Sequence, residues 1–146
     1  MSVHIREANA SDIPGLIALF EEFAAFQQTP DKMCNTVEMM QQEQAFFNGF
    51  VAVDEQEAIV GYATWFYTYH TWVGKCIYLD DLYVRESQRK TGLGKQLFNK
   101  VADQGKATGC HRMRWLVSEW NTNARAFYEK IGAELDHTEM TCELKL

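Results

Sequence analysis

The sequence predicts an α+β fold, a mixed sheet flanked by helices, with residues 1–146 forming one domain. Three observations carry that expectation. Apolar residues recur at helical spacing near the N-terminus and again after residue 92. Between them lie runs rich in β-branched and aromatic residues. No repeat, linker or low-complexity tract interrupts the order, and 47% hydrophobic residues suffice for a full core.

The alternation over residues 3–8 predicts a first strand. Ser11 is positioned to cap a helix reaching Phe26, with Pro14 in its first turn, where a missing N–H is harmless. Ile13, Leu16, Ile17, Phe20, Phe23 and Ala24 form its apolar face. After the break at Thr29-Pro30-Asp31, Asn35 with Glu38 three positions on predicts a second helix over 35–47. Strands are expected over 50–53, 58–68, 76–85, 113–118 and 139–144. A helix is expected over 92–108, burying Leu93, Leu97, Phe98, Val101 and Ala102 and stopped by Gly109. A last helix spans 123–131 and closes at Gly132.

The formal net charge of −6 argues against a partner bound by phosphate neutralisation, so no nucleic acid is expected. Cys34, Cys76, Cys110 and Cys142 form no C-x-x-C pair, and the four histidines are equally dispersed. Free thiols in a reducing cytoplasm and no metal follow as expectations. No stretch reaches the ~18 apolar residues of a membrane span, and no charged-then-apolar leader opens the chain, so no membrane partner is expected.

Arg89-Lys90-Thr91-Gly92-Leu93-Gly94-Lys95 lies between a strand and a helix. Two glycines let the backbone turn tightly and aim several N–H groups at one point, where the helix dipole adds positive potential. Such a place binds phosphate. A Walker loop would need glycine where Arg89 stands and Ser or Thr where Gln96 stands. A dinucleotide fingerprint would need a small residue at Leu97. A glycine turn without a ligand is the plain alternative.

The R-x-x-G-x-G pattern, following Leu82-Tyr83-Val84, resembles the pyrophosphate loop of the GNAT superfamily of acetyl-CoA-dependent N-acetyltransferases. Gly61-Tyr62-Ala63, the run from Tyr78 to Val84, Glu119-Trp120-Asn121, and the run from Phe127 to Ala133 match in order. The combination is most similar to the spermidine/spermine branch and its bacterial relatives. The resemblance implies a mostly antiparallel, twisted central sheet and acetyl-CoA as co-substrate. It implies that Leu82, Tyr83 and Val84 pair with the pantetheine arm through their backbone. Arg89, Lys90, Thr91, Gly92, Leu93, Gly94 and Lys95 would cradle the pyrophosphate. Asn121 would lie beside the pantetheine, or serve as a helix cap. A homodimer is likewise expected from the resemblance.

Acetyl transfer needs a neutral amine, whereas an alkyl amine with a pKa near ~10.4 is overwhelmingly protonated at pH 7. A carboxylate, acting directly or through water, can take the proton. Asp80 and Asp81 are the candidates, and strand alternation predicts that they face opposite sides of the sheet. Asp80 aligns with a glutamate of the spermidine/spermine branch and is one methylene shorter, which favours a water-relayed transfer. Tyr128 matches the tyrosine that the family uses to protonate the departing sulfur; Phe127 is expected to pack.

The acceptor is therefore expected to be a primary amine of a small molecule: a polyamine, a diamine or a lysine-like compound. Phe26, Gln27, Asp80 and Asp81 are its candidate binding residues. Polyamine enzymes of the branch carry an aromatic–acid pair where Phe26-Gln27-Gln28 stands, and a tryptophan where Met140 stands. Those departures leave a shorter amine equally open. Trp65, Phe66, Tyr67, Tyr69 and Trp72 could line a pocket or a dimer face, with half of them core at strand spacing. Two alternatives stay open: a protein or peptide amine acetyltransferase, and a non-catalytic acyl-CoA-binding module.

Overall fold

The computed structural model describes residues 2–146 in two compact units, one reaching Trp115 and the other Leu116–Leu146. The first unit is built on a five-stranded sheet in the order β1-β2-β3-β4-β5: His4–Glu7, Asn48–Val53, Ile59–His70, Gly74–Val84 and Arg112–Arg114. The first four strands are antiparallel neighbours. The last pairs parallel to β4, through Cys76–Tyr78 only. The expected mixed, mostly antiparallel sheet is what forms.

One face of the sheet carries α1 (Ile13–Phe26) and α2 (Val37–Gln42). Ile13, Leu16 and Ile17 join Val51, Val53, Ile59, Tyr62 and Tyr83 in a buried cluster. Leu19, outside the predicted helix face, is buried too, because residues of α2 such as Met40 pack into the same cluster. The opposite face carries α3 (Leu93–Ala107), which buries Leu93, Leu97, Phe98 and Val101. Gly105 brings its backbone close to the sheet: a Cβ there would sit 2.7 Å from the Ile77 side chain.

Both predicted N-caps shift. Asn9, not Ser11, opens the first helical segment, accepting from the Ser11 amide at 3.0 Å while the Asp12 carboxylate accepts from the Asn9 amide at 2.8 Å. A 3-10 turn, Ala10–Asp12, then runs directly into α1. At α2 the cap is Thr36, whose Oγ1 accepts from Met39; Asn35 instead accepts from the Thr36 amide. The predicted 35–47 helix breaks after Gln42 into a 3-10 turn, Gln44–Phe46.

In the second unit α4 spans Thr122–Lys130, and Gly132 follows at φ 96°. The expected strand over 139–144 does not form: those residues hold no regular structure, and Met140 and Leu144 are exposed. Their alternation is strand-like, but a strand persists only where another supplies a hydrogen-bonding ladder. Likewise the strand predicted over 113–118 contracts to Arg112–Arg114, as far as its ladder with β4 extends.

Candidate functional site

Two features of β4 set the geometry. Among the described residues, the strand beyond Tyr78 keeps a neighbour only on the β3 side, since its pairing with β5 has ended. Two residues later the register slips: Trp65 pairs with Leu79 and Thr64 with Asp81, leaving Asp80 as the extra residue of a β-bulge.

The bulge overturns the alternation expected for the two acids. Ile77 and Val84 are an odd number of positions apart, yet both meet α3, at Gly105 and Gly94 respectively. Asp81 pairs with Thr64, two residues from Tyr62, and so stands on the α1 face. Leu79 pairs with Trp65 and stands on the other. Asp80 and Asp81 are therefore not separated by the sheet. Burial raises the phenols of Tyr62 and Tyr78, and both carboxylates add to the rise. Burial, with the Asp80 charge beside it, pushes the Asp81 carboxyl up to about 6. Asp80 is exposed, and desolvation by its surroundings raises its carboxyl too. The Asp81 amide donates to Thr64 Oγ1 at 3.1 Å, which ties the bulge to β3.

Glu22, Phe26, Tyr83, Arg85, Glu86, Ser87 and Arg89 line a cleft of about 680 Å³ on the α1 side. Tyr83 is buried there, stacked on Phe23 at 5.1 Å, and its hydroxyl donates to Glu22 Oε2 at 2.7 Å. Arg85 donates to the other oxygen of Glu22 at 3.3 Å. Arg89 lies with its guanidinium 4.5 Å over the Phe26 ring, and its Nε donates to the Val84 carbonyl at 2.9 Å. Arg89 thus reaches the aromatic wall as well as opening the glycine loop. Gln27 ends α1 and is not among the cleft residues. Arg85 is outside the expected binding set, and for Glu22 the sequence leaves open a carboxylate along a polycation's path or a solvated helix face. The available signal was the four-residue spacing of Glu22 and Phe26, which places them on one helix face.

The loop itself has the form its glycines suggest. Gly92 sits at φ 83° and caps α3; Lys90 is also left-handed, at φ 63°. The first helix-opening amide to reach a carbonyl is Gln96, to Gly92 at 3.1 Å, so the amides of Leu93, Gly94 and Lys95 stand at the free end. A Cβ at Gly92 would meet nothing within 4 Å, and one at Gly94 only Val84 at 3.9 Å. The ground over the helix end is open, with donors and dipole aimed into it, as a pyrophosphate needs. Thr91 spends its hydroxyl on the Gln88 carbonyl at 2.6 Å.

In the second unit, Asn121 caps α4, its Oδ1 accepting from the Ala124 amide at 3.2 Å. Tyr128 is half-buried, its ring 5.6 Å from that of Phe127, and burial raises its phenol. All four cysteines are free. Among the described residues no helix is long and apolar enough to cross a membrane, and no cluster of three metal-ligating side chains occurs.

Comparison with known proteins gives the same picture. Residues 16–133 match the family model described as the acetyltransferase (GNAT) family. The chain is 32% identical to a thialysine N-epsilon-acetyltransferase of Bos taurus, over 94% of this chain and 86% of that protein. It is 30% identical to a human spermidine/spermine N(1)-acetyltransferase-like protein 1, over 88% of this chain but 20% of that longer one. An aminoglycoside N-acetyltransferase solved in complex with CoA superposes with a TM-score of 0.78 at 17% identity, covering 99% and 96% of the two chains. With the glycine loop at the head of α3 and a family match across most of its length, this chain belongs to the GNAT family of acetyl-CoA-dependent acetyltransferases.

Proposed function

We propose that this enzyme acetylates the primary amine of a small molecule, a lysine-like compound, diamine or polyamine, by direct attack within a single functional domain. The observation that carries this reading is the pair of adjacent carboxylates at the β4 bulge, a cation-attracting and proton-accepting group on the strand that leads into the glycine loop. The thialysine and spermidine/spermine names of its relatives support the same substrate class.

Acetyl-CoA supplies the activated acyl group as a thioester. The backbone of Leu82, Tyr83 and Val84 binds its pantetheine arm on the open side of β4, and the 89–95 loop holds its pyrophosphate with free amides, Arg89 and Lys95. Asn121 spends its Oδ1 on the helix cap and offers its Nδ2 to the same arm. The Asp80–Asp81 pair, with Asp80 at the solvent side, attracts the ammonium group and removes its proton. Tyr128, held protonated by burial, gives a proton to the leaving sulfur. Phe26 and Gln27 flank the amine's path. A homodimeric, cytoplasmic enzyme is part of the same reading.

Thiol release from acetyl-CoA, followed colorimetrically against polyamines, lysine analogues, amino acids and short peptides, tests the proposal. Amine-dependent release with small amines is expected. Release with peptides alone would replace the substrate class, and CoA binding without release would point to a binding module.

A further inference from the structure

Tyr62 is 0% exposed, and its hydroxyl has no hydrogen-bond partner among the described residues. A buried phenol ordinarily finds one, because an unmade bond forfeits the hydration it gave up. Its ring is well accounted for by edge packing on Phe20 at 5.0 Å and by Tyr83 at 6.1 Å. The hydroxyl is not. Trp65 Nε1 shares that condition, but it lies on the other face, among Phe50 and Tyr67.

The surroundings of the Tyr62 hydroxyl are acidic. Asp81, Tyr83, Asp80 and Glu22 all act on it, Asp81 the strongest of these charges. Because Tyr62 pairs with Tyr83 and Thr64 with Asp81, Tyr62 and Asp81 are diagonal neighbours on the α1 face. Diagonal positions are roughly 7–8 Å apart, a span that a phenol and a carboxylate close with one small polar molecule between them. Of the groups facing this place, Glu22 on α1 is already held by Tyr83 and Arg85. Tyr78 and Tyr83 on β4 are raised phenols that stay protonated, and Asp80 is the exposed residue of the bulge. Asp81 is the acceptor that remains, anchored by Thr64.

We propose that Tyr62 is a positioning residue for proton removal: its hydroxyl and the Asp81 carboxylate hold one water between them, and Asp81 takes the amine's proton through it. This rests on the amine acetyltransferase reading and refines it, giving Asp80 the role of holding the cation. An ammonium N–H bond breaks, an O–H bond forms on Asp81, and the electron pair stays on nitrogen for attack. The water passes on one proton as it receives another, and Tyr62 ends unchanged.

The test is the pH profile of amine turnover at saturating acetyl-CoA for the wild type, Tyr62→Phe, Asp81→Asn and the double variant, with melting temperatures. Tyr62→Phe is expected to lower kcat about tenfold, the scale of one intramolecular hydrogen bond. The acidic limb should move to higher pH, because the charged carboxylate loses support. Melting temperature should hold within a few degrees, because the ring keeps its packing and only the bond to the water is lost. A purely packing role predicts unchanged kcat and an unmoved limb, and that result overturns the inference. If Tyr62→Phe loses stability, the cycle decides: no further loss on the Asp81→Asn background supports coupling, and additive losses overturn it. Wild-type enzyme inactive on every amine overturns the parent reading as well, whereas an active wild type with an insensitive Tyr62→Phe sinks this inference alone.

Discussion

The Tyr83 hydroxyl donates to Glu22 Oε2 at 2.7 Å, joining β4 to α1 across 61 positions of sequence. The bond holds the cleft wall, because Glu22 also accepts from Arg85 and Tyr83 also stacks on Phe23. Tyr83→Phe keeps the ring and removes only the bond. Because Glu22 is half-exposed and retains Arg85, the loss should sit near about 1 kcal/mol, or about 3 °C in melting temperature. Thermal denaturation checks it; an unchanged melting temperature would show that water replaces the bond without loss.

Asp81 gives a pH signature of stability. Its carboxyl is raised in the folded protein, so between the ordinary carboxylate range and about 6 the folded state binds more protons than the unfolded one. Stability contributed by this group therefore falls as pH rises through that window. Asp81→Asn removes the buried charge. It should raise the melting temperature at pH 8 and change it little at pH 4. Equal effects at the two pH values would show that the carboxyl is not raised.

Gly92 and Gly94 should respond differently to alanine. Gly92 is left-handed at φ 83°, so Gly92→Ala costs about 1–2 kcal/mol of backbone strain although space is free. At Gly94 a Cβ meets only ordinary contact, at 3.9 Å, inside a helix where alanine is favoured. Gly94→Ala should keep or raise stability while raising the KM for acetyl-CoA, because on the proposed reading the added methyl group crowds the pyrophosphate. Paired melting curves and KM values separate the two effects.

Tyr128→Phe retains the packing against Phe127 and removes the proposed proton donor. It should lower kcat by about 100-fold or more, the usual scale of general acid catalysis, with acetyl-CoA affinity nearly unchanged. Single-turnover kinetics with separately titrated CoA binding reads both. Intact turnover would remove Tyr128 from the chemistry.

Much of the fold was legible in the chain because it rests on local properties. The apolar faces of α1 and α3, the polar turn between β2 and β3, and the glycines after α3 and α4 follow from spacing and backbone freedom within a few residues. The glycine loop belongs to the same class, since Gly92 needs only its own φ and the helix that follows it. The short reach of such signals also explains the misplaced caps: Asn9 and Thr36 stood one or two positions from the residues expected, and several acceptable capping residues lay side by side.

The chain's own letters carry the order of elements as far as α4 and the glycine turn that opens α3. Only the tertiary structure decided which way the two acids point, because a bulge is a property of two paired strands, and alternation along β4 alone carries the wrong parity past Asp80. The same holds for Glu22, an ordinary helix-surface acid until Tyr83 and Arg85 arrive from β4 and the residues that follow. It holds for residues 139–144, whose strand-like alternation yields no strand without a ladder to join. Local preference is written in neighbouring residues, whereas register, burial and partnership are set by segments that meet only on folding.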